Sequence, residues 1–346
     1  MDAVARSVFV IAEAGVNHNG SIEMGLQLCA AAKQAGADAV KFQTFKAEDL
    51  VVPGAPTAAY QERQTGATDQ FQMLRSLELT LEQHVRLQAY CEQIGIEFFS
   101  TPFSVQAVDL LMGLGVGRLK MSSGELTHRA LISHAAATGL PLLISTGMAS
   151  MAEITEALQW VQEARGNLQG VSVLHCTSSY PAPDSALNLR AMQSLANDLG
   201  LPVGYSDHSS GIEASLAAVA MGASVIEKHL TLDCSLPGPD HSASLEPLAF
   251  ASMVQGIRRI SSMLGDGIKR PSQDELETAK VARRSIVAAC NIPAGTVLRA
   301  DMLACRRPAN GIAPKEMTAL LGRTSKTPLS TGQALQWTQL LVEPAP

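Results

Sequence analysis

Eight short apolar runs alternate with longer helical patterns over the first 265 residues of this 346-residue chain. The runs span residues 8–15, 38–45, 97–103, 118–125, 140–146, 171–180, 202–208 and 224–232. Strands that alternate with helices form a parallel sheet, and eight such units in about 260 residues match the size of a (β/α)8 barrel. We therefore predict an α/β fold of the TIM-barrel type, with a doubly wound open sheet as the alternative.

Helices are predicted between these runs, among them 21–36, 80–95 and 151–165. Residues typical of helix starts and ends support them. Thr80 with Gln83 fits a capping box, and Gly36 and Gly95 fit helix ends. The connection 46–79 is much longer than a plain barrel loop, and such connections are commonly substrate loops. It follows the second strand, so we expect it on the catalytic face of the barrel.

The pattern changes after residue 264. Residues 266–281 are polar and interrupted by glycine and proline, which is typical of a linker. From residue 282 onward, short strands, Gly/Pro turns and one short helix near 314–321 predict a small β-rich domain. The predicted domains are therefore a barrel over 1–265, a linker over 266–281 and a small domain over 282–346.

Charge and cysteine usage limit the partners. The chain has 26 Lys and Arg against 32 Asp and Glu, a net charge of -6, and no basic cluster that would neutralise nucleic-acid phosphates or an anionic membrane. No apolar stretch is long enough to span a bilayer, and residues 1–7 carry charges instead of a signal-peptide core. Six scattered cysteines without a CxxC pair predict a cytoplasmic protein, with Cys176 and Cys290 as core residues.

Polar residues stand in the predicted strands at positions where side chains two apart share a direction. A buried charge in an apolar strand needs a partner or a function. Several strands carry such residues near the same end, which predicts one shared polar site. The residues are Glu13, Lys41, Gln43, Lys120, Ser122, Ser206, His208, Glu227 and His229.

Two kinds of ligand fit this site. Lys41 and Lys120 are fixed cations, and the turns 122–124 (SSG) and 145–147 (STG) offer hydroxyl and backbone N–H groups that cradle phosphate. His208 and His229 end neighbouring strands and are suited to a divalent transition metal with open positions for substrate oxygen. The alternative for His229 is a hydrogen bond to Glu227.

The chain resembles the sialic acid synthases, and the motifs that carry this resemblance extend over almost its whole length. They are AEAGVNHNG at 12–20, KFQT at 41–44, STPF at 100–103, STGM at 145–148, HCT at 175–177, GYSDH at 204–208, EKH at 227–229 and PGPDH at 237–241. The segments IPAG at 292–295 and RRPANGIAP at 306–314 resemble the antifreeze-like (SAF) domain of the same family.

The resemblance implies condensation of phosphoenolpyruvate with an N-acylated mannosamine-type sugar to a nine-carbon 2-keto acid and phosphate. It implies a divalent metal on His208 and His229, Mn with Mg or Co as alternatives, and it makes Glu13 and Glu125 further catalytic residues. It assigns to phosphoenolpyruvate Lys41, Gln43, Thr101, Lys120, Ser123, Ser145 and Ser178. It assigns to the sugar Tyr180, Glu227, Asp240 and Arg307.

Two further segments indicate which sugar is the acceptor. The runs 59–61 and 73–79 look more like those of legionaminic acid synthases than of neuraminate synthases, which implies a 2,4-diacetamido-2,4,6-trideoxymannose acceptor. N-acetylmannosamine and a pseudaminate-type acceptor are the alternatives. Ser178 stands where many neuraminate synthases have Asn, which weakens one expected hydrogen bond to phosphoenolpyruvate.

Other functions remain open on the residues alone. A synthase of shorter 2-keto sugar acids would need a second basic pocket, but the predicted acceptor loop holds only Arg63 and Arg75. A pyruvate lyase with a lysine Schiff base, or a carbohydrate-binding module, would leave the two histidines without a role. The resemblance also implies a domain-swapped homodimer, in which Arg307 of one chain caps the barrel of its partner.

Overall fold

The computed structural model describes residues 8–57, 62 and 65–341, which form two compact units, Met1–Asp266 and Gly267–Pro346. The N-terminal residues 1–7, the run 59–61 and Arg63 lie outside the described residues. No helix in the described part of the chain has the length and apolar character needed to cross a membrane. The cytoplasmic location stays a prediction.

The first unit is built on eight parallel strands. They are β1 (Phe9–Gly15), β2 (Ala39–Thr44), β3 (Glu97–Pro102), β4 (Leu119–Met121), β5 (Leu142–Ser145), β6 (Val171–Cys176), β7 (Val203–Asp207) and β8 (Val225–His229). Strand β1 pairs with both β2 and β8, and the end strands of the ladder, β3 and β4, lie against each other. The TIM-barrel prediction is confirmed, and the open sheet is excluded.

Helices cover the outside of the barrel. They are α1 (Ile22–Gln34), α2 (Ala47–Leu50), α3 (Gln70–Ser76), α4 (Leu81–Ile94), α5 (Val105–Leu114), α6 (Arg129–Ala137), α7 (Met151–Arg165), α8 (Ala191–Leu199), α9 (Glu213–Ala220) and α10 (Pro247–Leu264). The Thr80–Gln83 capping box forms in both directions, and Gly95 ends α4 in a left-handed conformation. These local signals acted as expected because each satisfies backbone groups that the helix leaves unpaired.

The core of the barrel is apolar and continuous between strands and helices, with Ile11, Phe42, Leu119 and Phe250 fully buried. A separate apolar cluster lies in the long connection after β2. Phe45, Ala47, Met73, Leu74 and Leu77 pack there, and Asp69 caps α3 by accepting hydrogen bonds from Phe71 N and Gln72 N. The described part of the connection is therefore packed around its own apolar cluster and includes α2 and α3.

Strand β4 is shorter than its predicted run. It ends at Met121, and residues 123–125 form a 3₁₀ turn in which Glu125 N donates to Ser122 O at 3.1 Å. The turn redirects Glu125, because residues in a turn no longer alternate as in a strand.

The second unit contains α11 (Gln273–Ala282), β9 (Ser285–Ala288), β10 (Leu303–Arg306) and α12 (Met317–Leu320). Strands β9 and β10 are antiparallel, and Ile286, Leu298, Leu320 and Leu335 form a small core. Helix α11 begins at a Ser272–Glu275 capping box inside the stretch predicted as a linker. All its residues are at least partly exposed, which explains the linker-like composition.

Candidate active site

A cavity of about 420 Å³ lies at the carboxyl ends of the barrel strands. Most of the predicted site residues line it, namely Glu13, Lys41, Gln43, Thr101, Lys120, Ser123, Ser145, Ser178, Tyr180, His208, Glu227, His229 and Asp240. Glu125 is not among the lining residues, and its carboxylate contacts His128 Nδ1 at 2.8 Å. Arg307 belongs to the second unit and is exposed there.

Four buried charges form the floor of the cavity. Lys41 Nζ lies 2.5 Å from Glu13 Oε2 and 3.8 Å from Glu227 Oε1, and Lys120 Nζ lies 3.0 Å from the same Glu227 oxygen. Lys41 also donates to Thr101 Oγ1 at 2.8 Å. The two lysines are therefore already neutralised by two carboxylates, an arrangement that reading single strands did not reveal.

The two carboxylates differ in how easily they take a proton. Burial raises the pKa of Glu13 to about 7, although Lys41 acts against it. Burial would also raise the pKa of Glu227, but Lys120 and Lys41 outweigh it and lower that pKa to about 2. Glu13 can thus exchange a proton near neutral pH while Glu227 stays ionised.

A small-residue cradle adjoins the lysines. A Cβ atom on Gly147 would lie 2.2 Å from Ser178 Oγ and 2.9 Å from Ser123 Oγ, so a larger residue here would displace both hydroxyls. Gly147 N donates to Ser123 Oγ at 2.9 Å. Ser145 Oγ is buried and finds no hydrogen-bond partner among the described residues. Hydroxyl groups gathered beside two cations suit a compact anion.

The two histidines meet on the opposite side of the cluster, with ring centroids 5.5 Å apart. His208 Nδ1 donates to Thr177 O at 2.8 Å, because a carbonyl can only accept, which leaves its Nε2 as the lone-pair nitrogen. Burial, followed by the neighbouring His208, holds the pKa of His229 well below its usual range. His229 Nδ1 has no hydrogen-bond partner within the described ranges.

This donor set fits a divalent metal with open positions. Both imidazoles are buried, and the neutral imidazole is the form that binds metal. Burial favours that form in His229. In His208 burial also lowers the pKa, but the neighbouring Cys176 outweighs it and raises the pKa, so an ion bound there would displace a proton. Within the part of the chain that the structure describes, no group of three or more His, Cys, Asp or Glu side chains could hold an ion. Two histidines alone would leave coordination positions for water and substrate oxygen.

Family models match both units of the chain. The NeuB family model matches residues 28–269, and the SAF domain model matches residues 283–341. The chain belongs to the NeuB family. The predicted resemblance to the sialic acid synthases is thereby confirmed, and the small domain over 283–341 is a SAF domain. Membership favours a phosphoenolpyruvate-dependent synthase over the Schiff-base lyase and the carbohydrate-binding module.

Individual relatives of this NeuB-family chain are similar over nearly their full length. The N,N'-diacetyllegionaminic acid synthase of Legionella pneumophila is 46% identical over 95% of this chain and 93% of that protein. The synthase of the same name from Campylobacter jejuni is 44% identical over 92% and 96%. A solved N-acetylneuraminic acid synthetase from Leptospira borgpetersenii, in complex with citrate, superposes with a TM-score of 0.71 at 34% identity, covering 80% and 93%.

One wall of the cavity in this family member is apolar, and the sequence analysis singled out only part of it, the run 73–79, as related to the acceptor. Val16, Met73, Leu74, Leu77 and Phe103 line it. Three of them come from the connection after β2, which was predicted to lie on the catalytic face. Their apolar character alone does not predict that they line a cavity, because the same residues also form the apolar cluster of the connection after β2.

Two cysteines behave differently from their predicted core role. Cys176 is buried, but it lines the cavity and contacts Ser123 Oγ at 3.7 Å and His208 Nδ1 at 3.6 Å. Cys290 is exposed in the second unit and is not a core residue. An apolar neighbourhood in sequence could not separate these environments.

Proposed function

We propose that this chain condenses phosphoenolpyruvate with 2,4-diacetamido-2,4,6-trideoxymannose to give N,N'-diacetyllegionaminate and phosphate. The observation that carries the proposal is one cavity that combines two buried lysines, a hydroxyl cradle and two buried histidines. Family membership and the two legionaminic acid synthases at 44–46% identity support the same reaction.

Phosphoenolpyruvate would lie against Lys41 and Lys120, with its oxygens facing the cradle of Ser123, Ser145 and Ser178. Its negative charges compete with Glu13 and Glu227 for the two ammonium groups. Glu13 is the carboxylate that can yield, since a proton taken up near its pKa of about 7 frees Lys41 for the substrate. Gln43, which donates to Glu13 Oε1 at 3.2 Å, would keep that carboxyl in place.

His208 and His229 would hold the divalent ion, Mn in our proposal, with Mg or Co as alternatives. When bound, the ion supplies Lewis-acid polarisation of the acceptor's aldehyde oxygen. Tyr180 packs on His208 with ring centroids 4.2 Å apart, and Asp240 Oδ2 lies 3.7 Å from His229 Nδ1. Tyr180, Asp240 and Glu227 would contact the open-chain sugar beside it.

The reaction forms a bond between C3 of phosphoenolpyruvate and C1 of the aldehyde, whose oxygen takes a proton from the protonated Glu13. Water then adds at C2 and gives one proton to the Glu13 carboxylate. The C2–O bond to phosphate breaks as the new C2 hydroxyl gives its proton to the departing phosphate, which leaves the 2-keto acid and phosphate. We assign this proton exchange to Glu13 rather than to Glu125, because Glu13 lines the cavity and has a pKa near neutrality.

The apolar wall favours the 6-deoxy, diacetamido acceptor. A methyl group at C6 and the two acetyl methyls lose contact with water against Met73, Leu74 and Leu77, whereas the hydroxyl of N-acetylmannosamine would be desolvated without a partner. Apolar pockets reject an added hydroxyl by up to about 100-fold. N-acetylmannosamine is therefore the alternative substrate that the wall disfavours.

Phosphate release from phosphoenolpyruvate with a panel of mannosamine analogues tests this function. We expect 2,4-diacetamido-2,4,6-trideoxymannose to exceed N-acetylmannosamine in kcat/KM by roughly 10- to 100-fold. Met73→Gln, which puts an amide in the apolar wall, is expected to reduce that ratio. Met112→Gln, on the outer helix α5, is the matched control. A higher kcat/KM with N-acetylmannosamine would support the neuraminate alternative, and no phosphate release with any sugar would refute the synthase.

We also propose that the chain works as a domain-swapped homodimer, with Arg307 of one chain completing the barrel site of its partner. A guanidinium suits the oxygen-rich acceptor, and Arg307 is exposed in its own unit. Mixing Arg307→Ala chains with His229→Ala chains is expected to restore activity, because some barrels then receive an intact Arg307. An inactive mixture in which heterodimers demonstrably form would contradict this proposal.

A further inference from the structure

A buried ion pair lies behind the two histidines, on the outer side of the barrel strands. Lys228 Nζ and Asp207 Oδ2 are 3.1 Å apart, and both side chains are fully buried. Asp207 ends β7 immediately before His208, and Lys228 precedes His229 in β8. The two are cross-strand neighbours in the β7–β8 register. Because side chains alternate along a strand, the charges point away from the cavity while both imidazoles point into it.

The two residues of the ion pair make hydrogen bonds to Ser209, the residue that follows His208. Asp207 Oδ1 accepts from Ser209 N at 2.9 Å and from Ser209 Oγ at 2.6 Å. Lys228 Nζ donates to Ser209 O at 2.5 Å. Ser215 Oγ, on α9, donates to Asp207 Oδ2 at 2.7 Å. Residue 209 is therefore held at its N–H, its hydroxyl and its carbonyl by the residues that precede the two histidines.

We propose that Asp207 and Lys228 are positioning residues that set the separation of His208 and His229 for metal binding. This inference rests on the metal site proposed above. His208 has a further anchor in Thr177 O, but His229 Nδ1 has no hydrogen-bond partner in the described part of the chain. Around the His229 ring lie Asp240 Oδ2, 3.7 Å from Nδ1 and beyond hydrogen-bond distance, and the rings of His208 and Tyr180 at 5.5 and 5.8 Å. None of these contacts is a hydrogen bond, so the position of His229 depends strongly on its backbone.

Stability alone does not account for such a pair. Removing two charges from water costs about as much as their attraction returns, so apolar residues of similar size would stabilise this layer equally well. Apolar residues cannot make directional contacts. Dispersion contacts tolerate small shifts of the backbone, whereas the hydrogen bonds at Ser209 fix its position. Outer residues that orient metal ligands are typically worth about 10- to 100-fold in metal affinity.

The test is a Mn²⁺ titration of the full chain, followed by the electron paramagnetic resonance signal of the free ion. Asp207→Asn with Lys228→Met keeps the shapes and removes both charges. We expect the Mn²⁺ dissociation constant to rise about 10- to 100-fold, with native circular dichroism and an unchanged KM for phosphoenolpyruvate. Ser215→Ala, a milder change that removes one hydrogen bond to Asp207, is expected to weaken Mn²⁺ binding several-fold.

The matched control is Glu97→Gln with Arg118→Met. This pair also links neighbouring strands, through Arg118 Nε and Glu97 Oε1 at 2.6 Å, but at the amino end of the barrel. We expect its removal to leave the Mn²⁺ affinity unchanged. Wild-type Mn²⁺ affinity in the Asp207/Lys228 and Ser215 variants, or an equal loss in the control, would overturn the inference alone. Absence of Mn²⁺ binding by the wild-type chain would overturn the metal site as well.

Discussion

Lys120→Met is expected to lower kcat/KM for phosphoenolpyruvate by an amount equivalent to about 2–5 kcal/mol, as found when one member of a buried charge pair is removed. Lys120 is buried, and its Nζ lies 3.0 Å from Glu227 Oε1. The variant loses a cation for the substrate and leaves the Glu227 carboxylate with the more distant Lys41, 3.8 Å away, and a hydrogen bond from Ser206 Oγ at 3.2 Å. Phosphate release at varied phosphoenolpyruvate measures the effect.

Lys46→Met is the control for Lys120. Lys46 pairs with Glu78 at 2.8 Å, a similar distance, but its side chain is 51% exposed. Exposed pairs contribute about 0–1 kcal/mol, so kcat/KM should change little. The role assigned to Lys120 would be wrong if both variants showed the same phosphoenolpyruvate kinetics as the wild type.

His229→Ala is expected to lower kcat by roughly a thousandfold while the chain stays folded, because Lewis-acid stabilisation is worth several kcal/mol. The variant should also lose most of its Mn²⁺ affinity in a direct titration. The free energy of unfolding should not fall sharply, since the variant removes a buried imidazole whose Nδ1 has no hydrogen-bond partner among the described residues.

His134→Ala is the matched histidine control. His134 is on α6 and contacts Asp109 Oδ1 at 2.7 Å on the surface, away from the cavity lining. Turnover and Mn²⁺ affinity should both stay at wild-type levels. Full activity of the wild-type chain after chelation and dialysis, or an active His229→Ala variant, would remove the metal from the mechanism.

Much of the fold could be predicted from local patterns. The eight apolar runs became the eight barrel strands, and the Thr80–Gln83 box began α4 where predicted. These signals are readable because period, capping and glycine placement act over a few residues. Composition did not reveal the helix within residues 266–281, which were predicted as a linker. The polar helix α11, with its own capping box, has the same residue content as a linker.

Most of the residues that line the cavity could also be predicted from the sequence. Alternation along a strand placed Lys41 with Gln43 and Glu227 with His229, and all four line the cavity. Glu125, which the resemblance assigned to catalysis, does not line the cavity, because the strand ends at Met121. A turn intervenes there, and its backbone hydrogen bond depends on the neighbouring geometry.

The sequence by itself determined the parallel barrel, the end of the barrel at which polar residues gather, and the family. Repeating patterns and ordered motifs are visible in the order of residues along the chain. Only the tertiary structure decided which charges pair. Glu13 with Lys41, Glu227 with Lys120 and Asp207 with Lys228 are joined across strands. It also decided that the connection after β2 supplies an apolar wall. Pairing distances arise from strand register and barrel closure, which no local pattern specifies.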